Sequence, residues 1–392
     1  MPFRKPQAGK CFGTSVHGPA RAFVSGWCGS SDRLACTRVA IRRGDRDGMK
    51  KVVLRVILLL ARVLGLFAIS RRMTRRDLRI LCYHGGALAD EHRFSPGLFM
   101  SESTFARRMQ FLAEGGYHVL RLDEALRALR CGDLPDFATV ITVDDGWYGS
   151  IRVMVPTLAR HGFPATLYVA TYYVEKQTQV FNVAVGYVLW KAAGMRRLDV
   201  SVVSPALSGT FDLSDSAQRQ GARNLIVAYG EGLDSAAARQ DLLMRLCEHL
   251  GIGWAAIRDK RLIAFATGNE LRELPAKGID VQCHTHRHRF PVNDPLAASK
   301  EIDDNRHSLA TCVPGPFEHF CYPSGVYAPD QFELLRGKGI RSATCTRSGF
   351  TRVPDRSYEL TRFLDSEAVT PLEFEAEMSG FFEIIRRLGY AI

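Results

Sequence analysis

Apolar and polar positions alternate in blocks along most of the chain after residue 77. Short apolar runs rich in β-branched residues are typical of buried strands, and the segments between them carry apolar residues at helical spacing. The predicted strands are 78–84, 138–143, 164–170, 278–283, 317–322, 342–346 and 358–363. The predicted helices begin near residues 101, 122, 151, 269, 297, 330 and 372. This alternation predicts the α/β class, with parallel strands in a barrel or a sheet.

One long segment, residues 172–265, interrupts the alternation. It contains an aromatic helix pattern over 181–190, a short hairpin pattern around Gly209, and helix patterns over 214–228 and 235–250. We interpret the segment as a mainly helical subdomain inserted into one domain that spans 77–392. A long excursion from a barrel loop normally lies near the active face, so we expect the insertion close to the functional site.

The chain before residue 77 differs from the rest. Residues 1–48 have no sustained period and read as a disordered or non-native leader, with Met49 as the alternative start. Residues 49–76 predict a basic amphipathic helix, which is typical of a segment lying on a membrane surface. A helix packed on the body and a poor signal or anchor stay open as alternatives. The expected location is cytoplasmic or inner-membrane-associated, or periplasmic if 49–70 acts as a signal or anchor.

Charge is distributed unevenly between these parts. Residues 1–76 hold 17 of the 52 Lys and Arg residues but only 3 of the 41 Asp and Glu residues. The remainder is slightly acidic, so we expect no nucleic-acid groove there; a basic adaptor role would rest on 1–76 alone. The 10 cysteines have no CxxC or disulfide-like spacing, which favours a reducing compartment.

Two segments carry candidate chemistry. An apolar strand ends in Asp144 and Asp145, and Gly146 lets the strand end there. Another apolar strand leads directly into His284 and His288, whose four-residue spacing suits one face of a turn. Two histidines and one aspartate form a ligand set of the catalytic zinc type, which leaves positions for water and substrate. The alternatives are a solvated turn for the aspartates and a basic surface turn for the histidines.

Three motifs in order resemble the polysaccharide deacetylase superfamily, the NodB-homology or family 4 carbohydrate esterases. The motifs are Thr142-Val143-Asp144-Asp145, His284-Thr285-His286-Arg287-His288 and Cys321-Tyr322-Pro323-Ser324-Gly325. Pro164-Ala165-Thr166 and Leu81-Cys82-Tyr83-His84 are also similar to members of this family. The resemblance covers about 78–175 and 265–365. It implies a distorted (β/α)7-type barrel, here with a helical insertion.

The resemblance also implies roles for individual residues. Asp144 would be the general base, while Asp145, His284 and His288 would hold a divalent metal, with zinc the expected ion. The residues expected around the substrate and its oxyanion are Tyr322, Pro323 and Ser324. The implied reaction is removal of N-acetyl, or O-acetyl, groups from an amino-sugar polysaccharide or a lipid-linked glycan.

The chain departs from the family pattern in two places. The third motif has Cys321 and Ser324 where the family usually has an arginine and an aromatic residue, and no histidine follows residue 340. Some members, including poly-N-acetylglucosamine deacetylases, have a histidine on the first strand, so we expect His84 to be the general acid. We expect Arg362 to replace the missing arginine; the alternative is a surface charge. The alternative is a catalytically weak glycan-binding protein on the same scaffold.

Overall fold

A curled sheet of parallel strands forms the centre of the computed structural model, which describes residues 49–195, 197–352 and 356–390. The predicted leader, 1–48, lies outside the described residues. The strands are β1 Arg79–Tyr83, β2 Gly85–Gly86, β3 Phe99–Met100, β4 His118–Val119, β5 Ala138–Val143, β6 Ala165–Val169, β7 Leu198–Asp199, β8 Thr210–Phe211, β9 Ile279–Cys283, β10 His319–Cys321, β11 Ser342–Thr344 and β12 Phe363–Leu364. The sheet has the order β11-β10-β9-β6-β5-β1-β12, and β4 also pairs with β5. The predicted α/β class and distorted barrel are confirmed.

Helices follow the strands and surround the sheet. Their bounds are α1 Met49–Val63, α2 Leu66–Met73, α3 Glu91–Phe94, α4 Glu102–Glu114, α5 Leu122–Cys131, α6 Val155–His161, α7 Thr171–Lys176, α8 Phe181–Lys191, α9 Ser216–Glu231, α10 Ala236–His249, α11 Trp254–Asp259, α12 Gly268–Arg272, α13 Pro295–Cys312, α14 Phe332–Gly337, α15 Pro371–Met378 and α16 Phe381–Arg387. The main strands β1, β5 and β6 are buried at every position because helices cover both faces of a parallel sheet.

The strand register decides which residues meet at the edge of the sheet. Tyr83 lies opposite Val143, and Val169 lies opposite Cys283. β1, β5, β6 and β9 therefore end at the same edge, and the polar residues that follow them in sequence meet there. This is the edge at which α/β proteins place their sites.

The insertion contains α8 to α11 and the short antiparallel pair β7–β8. Its apolar residues form a core of their own, centred on α8, α9 and α10. The rings of Trp147 and Phe265 lie 4.4 Å apart and join this core to the loop after β5. The insertion is thus held next to the carboxyl edge of the sheet.

The basic N-terminal segment contains two helices where the sequence predicts one. α1 ends at Val63 and α2 begins at Leu66, with a bend of 76° between them. Gly65 has φ 75°, a left-handed conformation that interrupts the helical hydrogen bonds. Within the described residues, no single helix is long and apolar enough to cross a membrane; the bent pair passes only when the two are taken together, by length and composition.

The predicted strand at 358–363 is wrong in its bounds. Only Phe363 and Leu364 pair with β1, while Leu360 forms an isolated bridge with Thr344. Arg362 comes directly before this short strand, and its side chain is fully buried.

Candidate metal and catalytic site

Three of the predicted ligands meet at the edge of the sheet. The Asp145 Oδ1 atom lies 3.3 Å from Nε2 of His284 and 3.3 Å from Nε2 of His288. Asp145 and His288 both have left-handed backbones, with φ 76° and 56°. Such backbone conformations are uncommon outside glycine and are found at functional sites, where the surrounding structure maintains them. Here the turns after β5 and β9 place one carboxylate and two imidazoles in a single cluster.

The surrounding residues fix the orientation of these ligands. The Nδ1 atom of His284 lies 2.9 Å from the carbonyl oxygen of Cys321, so its Nε2 faces Asp145. The indole Nε1–H of Trp147 donates to Oδ2 of Asp145 at 2.7 Å, which leaves Oδ1 directed at the histidines. Metal-binding histidines and carboxylates are commonly oriented in this way by a second layer of hydrogen bonds.

Asn305 is a supporting residue that sequence reasoning missed. It is fully buried on α13 and accepts the backbone N–H of His284 at 3.2 Å. Its amide also donates to the carbonyl oxygens of Val169 and Thr285. These contacts tie the ends of β6 and β9 together. The only signal in the sequence is a polar residue on the apolar face of the predicted helix 297–311.

The donor set of Asp145, His284 and His288 suits a divalent metal. Its three donor atoms lie within 4.8 Å of one another. Burial opposes ionisation of Asp145, but hydrogen bonds from His284 and His288 outweigh it and hold the pKa of this carboxyl well below its usual range. A carboxylate that stays ionised is what a metal ligand requires.

Two other groups of donors lie nearby and both include Asp144: one with Cys82 and His84, the other with His284 and Cys321. Asp144 is already paired with a guanidinium, and a second cation beside it would be repelled. Burial raises the pKa of the Cys82 thiol well above its usual value, so this cysteine does not offer a thiolate. The cluster around Asp145 is therefore the better metal site.

Asp144 forms a buried ion pair with Arg362. Nη1 and Nη2 of the arginine each lie 2.8 Å from one carboxylate oxygen, and both side chains are almost fully enclosed. Burial alone would raise the pKa of Asp144, but the charge and hydrogen bonds of Arg362 bring it well below the usual value. Arg362 therefore fixes the orientation of the Asp144 carboxylate.

His84 borders the same space from the end of β1. Its Nε2 atom lies 4.0 Å from Oδ2 of Asp144, and about a quarter of its side chain is exposed. The hydroxyl of Ser150 donates to the carbonyl oxygen of His84 at 2.6 Å, which fixes the backbone there. The imidazole can therefore face both Asp144 and an incoming ligand.

The three residues of the third motif differ in the hydrogen-bond donors they have free. The backbone N–H of Tyr322 donates to the carbonyl oxygen of Thr344 at 3.1 Å, and its hydroxyl donates to the carbonyl of Tyr358 at 3.0 Å. Tyr322 therefore has no free donor for an oxyanion, and Pro323 has no N–H. Ser324 is exposed in the first turn of a 3₁₀ helix, where a backbone N–H has no intrahelical acceptor. Of the three predicted residues, only Ser324 can supply such a donor.

No protein-family model matches the chain. No curated protein matches it either.

Comparison with solved structures does find matches. The deacetylase PplD of Streptococcus pyogenes, solved with acetate, has a TM-score of 0.52 at 18% identity, over 78% of this chain and 99% of that one. IcaB of Ammonifex degensii has a TM-score of 0.49 at 16% identity, over 78% of this chain and 97% of that one. The polysaccharide deacetylase BC0361 of Bacillus cereus has a TM-score of 0.46 at 16% identity, over 78% of this chain and 69% of that one. At such identities the likeness concerns the fold: this chain has the fold of the deacetylase PplD.

Proposed function

We propose that the chain is a metal-dependent deacetylase that removes N-acetyl, or O-acetyl, groups from an amino-sugar glycan. The observation that carries the proposal is the pair of adjacent carboxylates with separate partners. Asp145 faces two histidines, whereas Asp144 is held by Arg362. One carboxylate is thus available to hold a metal and the other to handle a proton. The shared fold with a deacetylase and the three motifs support the same reaction.

The proposed mechanism assigns a task to each residue. A bound divalent ion, with zinc the expected one, would polarise the acetyl carbonyl and lower the pKa of a nearby water. Asp144 accepts a proton from the attacking water, and Arg362 keeps this carboxylate oriented. The Ser324 N–H donates to the developing oxyanion. His84 gives a proton to the departing amine as the C–N bond breaks, so the products are acetate and a free amino sugar.

Metal analysis combined with acetate release tests the proposal. Asp145→Asn and His284→Ala should each lose bound metal and activity, because each removes one of three ligands. Asp144→Asn should keep the metal but lose activity by about 10²–10⁴-fold, the usual contribution of a general base. His249→Ala, at the end of α10 in the insertion, is the matched control and should change neither. Unchanged metal content in Asp145→Asn and His284→Ala would show that the site is wrongly assigned.

A glycan-binding protein with little catalysis is the second candidate. Both oxygens of Asp144 accept hydrogen bonds from Arg362, and the thiols of Cys82 and Cys321 lie 3.5 and 3.4 Å from Oδ2. These contacts weaken Asp144 as a base. Bound metal and saturable glycan binding without acetate release from any acetylated glycan would favour this alternative.

We also propose that the N-terminal helices contact an anionic lipid surface. Large apolar side chains are exposed along this part of the chain: Ile57, Leu59, Leu60, Val63, Leu64, Leu66, Ile69 and Met73. Arg71 and Arg72 lie just before the last of them, and Arg75 and Arg76 follow; the exposed arginines at 72, 75 and 76 suit anionic headgroups. The location stays a prediction: cytoplasmic or inner-membrane-associated, or periplasmic if 49–70 is a signal or anchor.

The proposed membrane contact lies away from the catalytic residues. α2 leads into the amino end of β1, while His84 follows its carboxyl end. Five strand residues separate the two, a rise of about 16 Å. A glycan that extends away from the surface fits this arrangement.

Vesicle sedimentation tests this contact. The full chain should bind phosphatidylglycerol vesicles more strongly than phosphatidylcholine vesicles, and Val63→Glu should weaken the binding. Leu296→Glu, at an equally exposed apolar position on α13, is the control. Equal binding by Val63→Glu and Leu296→Glu, or a dimer in light scattering that Val63→Glu dissolves, would contradict a lipid surface.

A further inference from the structure

A groove runs from the candidate metal site along the insertion. Its first part is a cavity of about 500 Å³ that starts at His288. A second cavity of about 580 Å³ continues towards Trp254 and Arg258. The two share the side chains of Tyr172, Thr178, Gln179, Ala236 and Gln240, so they are parts of one groove.

The walls of the groove have the chemistry of carbohydrate recognition. Thr178, Gln179 and Gln240 are half-buried polar residues that line both cavities. Tyr173 stacks on Phe265 at 4.7 Å and lines the cavity next to His288. Hydrogen-bonding side chains beside aromatic rings suit the hydroxyl-rich edges and apolar faces of sugar rings.

The charge of the groove differs from that of the surrounding protein. Residues after 76 hold 35 Lys and Arg against 38 Asp and Glu. The groove, in contrast, is lined by five cationic side chains and one carboxylate, that of Glu231. The cations are Lys176, Arg239, Arg258, Arg287 and Arg289. A cationic lining in an otherwise acidic body favours an anionic ligand.

The five cations are not equally available. Arg287 is paired with Glu301 and Asp304 at 2.9 and 3.1 Å, and Arg258 is paired with Asp259. Arg289 lies 3.8 Å from Glu231, the carboxylate of the groove. Arg239 is half-buried, and its Nη1 donates to the backbone carbonyl of Leu233 at 3.1 Å. Within the part of the chain that the structure describes, Arg239 has no carboxylate partner. Lys176 is also without a carboxylate partner among the described residues, but it is exposed and lines only the far cavity. Arg239 lines the cavity next to His288, so it is the stronger candidate to receive an anionic group.

We infer that the groove binds a linear glycan whose sugars carry anionic groups, carboxylate or phosphate, beside the residue that is deacetylated. The inference rests on the proposed deacetylase function and adds the substrate class. The insertion is then the specificity element of the enzyme. Single sugars would leave most of the groove unfilled, so oligomers are the better substrates.

Steady-state kinetics on four probes test the inference. The probes are 4-nitrophenyl acetate, an N-acetylglucosamine hexamer, a hexamer with alternating glucuronate, and a phosphodiester-linked N-acetylhexosamine hexamer. The acidic hexamers should have a higher kcat/KM than the neutral one, and the advantage should shrink at high salt. Whichever acidic hexamer is preferred identifies the anionic group.

Arg239→Gln should lower kcat/KM for the preferred acidic hexamer about tenfold, mainly through KM, as expected when a charged hydrogen bond is lost. The loss for the neutral hexamer and for 4-nitrophenyl acetate should be smaller, because neither carries an anionic group for Arg239 to bind. Arg130→Gln, an exposed arginine on α5 outside the groove, is the matched control.

Two results would overturn the inference: equal kcat/KM for neutral and acidic hexamers, or no difference between Arg239→Gln and Arg130→Gln. A wild-type protein that hydrolyses none of the four probes would count against the deacetylase function itself. A protein that cleaves the small ester and ignores charge would count only against the groove.

Discussion

Replacing Arg362 with methionine separates its effect on Asp144 from its effect on the fold. The substitution preserves an unbranched side chain but removes both hydrogen bonds to the carboxylate. Both partners are buried, so the remaining Asp144 charge loses its main compensation. Breaking one side of a buried ion pair usually costs about 3–5 kcal/mol. Such a loss is large against a typical total stability of about 5–15 kcal/mol.

The pH dependence of stability gives a sharper signature. In the wild type the pKa of Asp144 is held below its unfolded value, so its contribution is present above the unfolded pKa and is lost as acid protonates it. In Arg362→Met the main counter-charge is gone, so burial, which raises the pKa and is the largest single influence, is opposed only by the weaker effects of His284 and His84. Protonation then removes a buried charge. The free energy of unfolding of the variant should therefore rise as the pH falls from 7 to 5. Over the same range Asp144 adds nothing to the stability of the wild type.

Urea unfolding at pH 7 and pH 5 measures this effect, and acetate release at 10 °C measures activity while the variant is folded. Arg362→Met/Asp144→Asn should recover most of the lost stability, because neither charge remains. Arg108→Met is the matched control: Arg108 forms a similarly buried pair with Asp365, with Nε and Oδ2 at 3.0 Å, but does not touch Asp144. The Arg108→Met variant should be less stable than the wild type but should keep its activity.

The reasoning on Arg362 would be refuted by two outcomes. One is wild-type activity and an unchanged pH profile in Arg362→Met. The other is additive stability losses in the double variant, since residues in direct contact should show a coupling energy.

Three further predictions concern other parts of the chain. His84→Gln should lower kcat about 10²-fold, the lower end for a general acid, with metal content and KM retained. Burial lowers the pKa of His319 to about 4, so its stabilising effect is complete above the unfolded pKa and falls by about 3 kcal/mol as pH drops from 6.5 to 4. His319→Asn should remove that part of the acid sensitivity in urea unfolding. Gly149→Ala should lower the thermal midpoint, because the added Cβ would lie 1.9 Å from the carbonyl oxygen of Gly86.

Each of these has a control and a contrary result. His118→Gln should not change kcat, because His118 is exposed and pairs with Ala138 at the amino end of β5, opposite to Asp144. A normal kcat in His84→Gln would remove His84 from the mechanism. An unchanged acid sensitivity in His319→Asn would show that other groups cause it. Gly132→Ala has open space around its Cβ but a left-handed backbone, so its thermal midpoint measures backbone strain alone. If Gly149→Ala lowers the midpoint no more than Gly132→Ala does, the steric argument is not supported.

The sequence determined the order of strands and helices and indicated the residues of the candidate metal site. Buried strands have continuous β-branched runs, and helices have apolar residues at a period near 3.6. Both patterns can be recognised within a short stretch of sequence. Polar residues such as Asp145 and His284 can be recognised as candidates because each follows such an apolar run. Parallel strands with a common edge then imply that these residues meet.

Only the tertiary structure decided the partners of these residues. Asp144 and Arg362 are 218 positions apart, and the bidentate contact between them depends on β1 lying between β5 and β12. Asn305 links two strand ends across the sheet edge, and Tyr322 has its donors directed at other backbone groups. Such contacts depend on distances and directions in space, which local patterns do not encode. The same holds for the groove beside His288, because its cationic walls come from segments brought together only when the insertion packs.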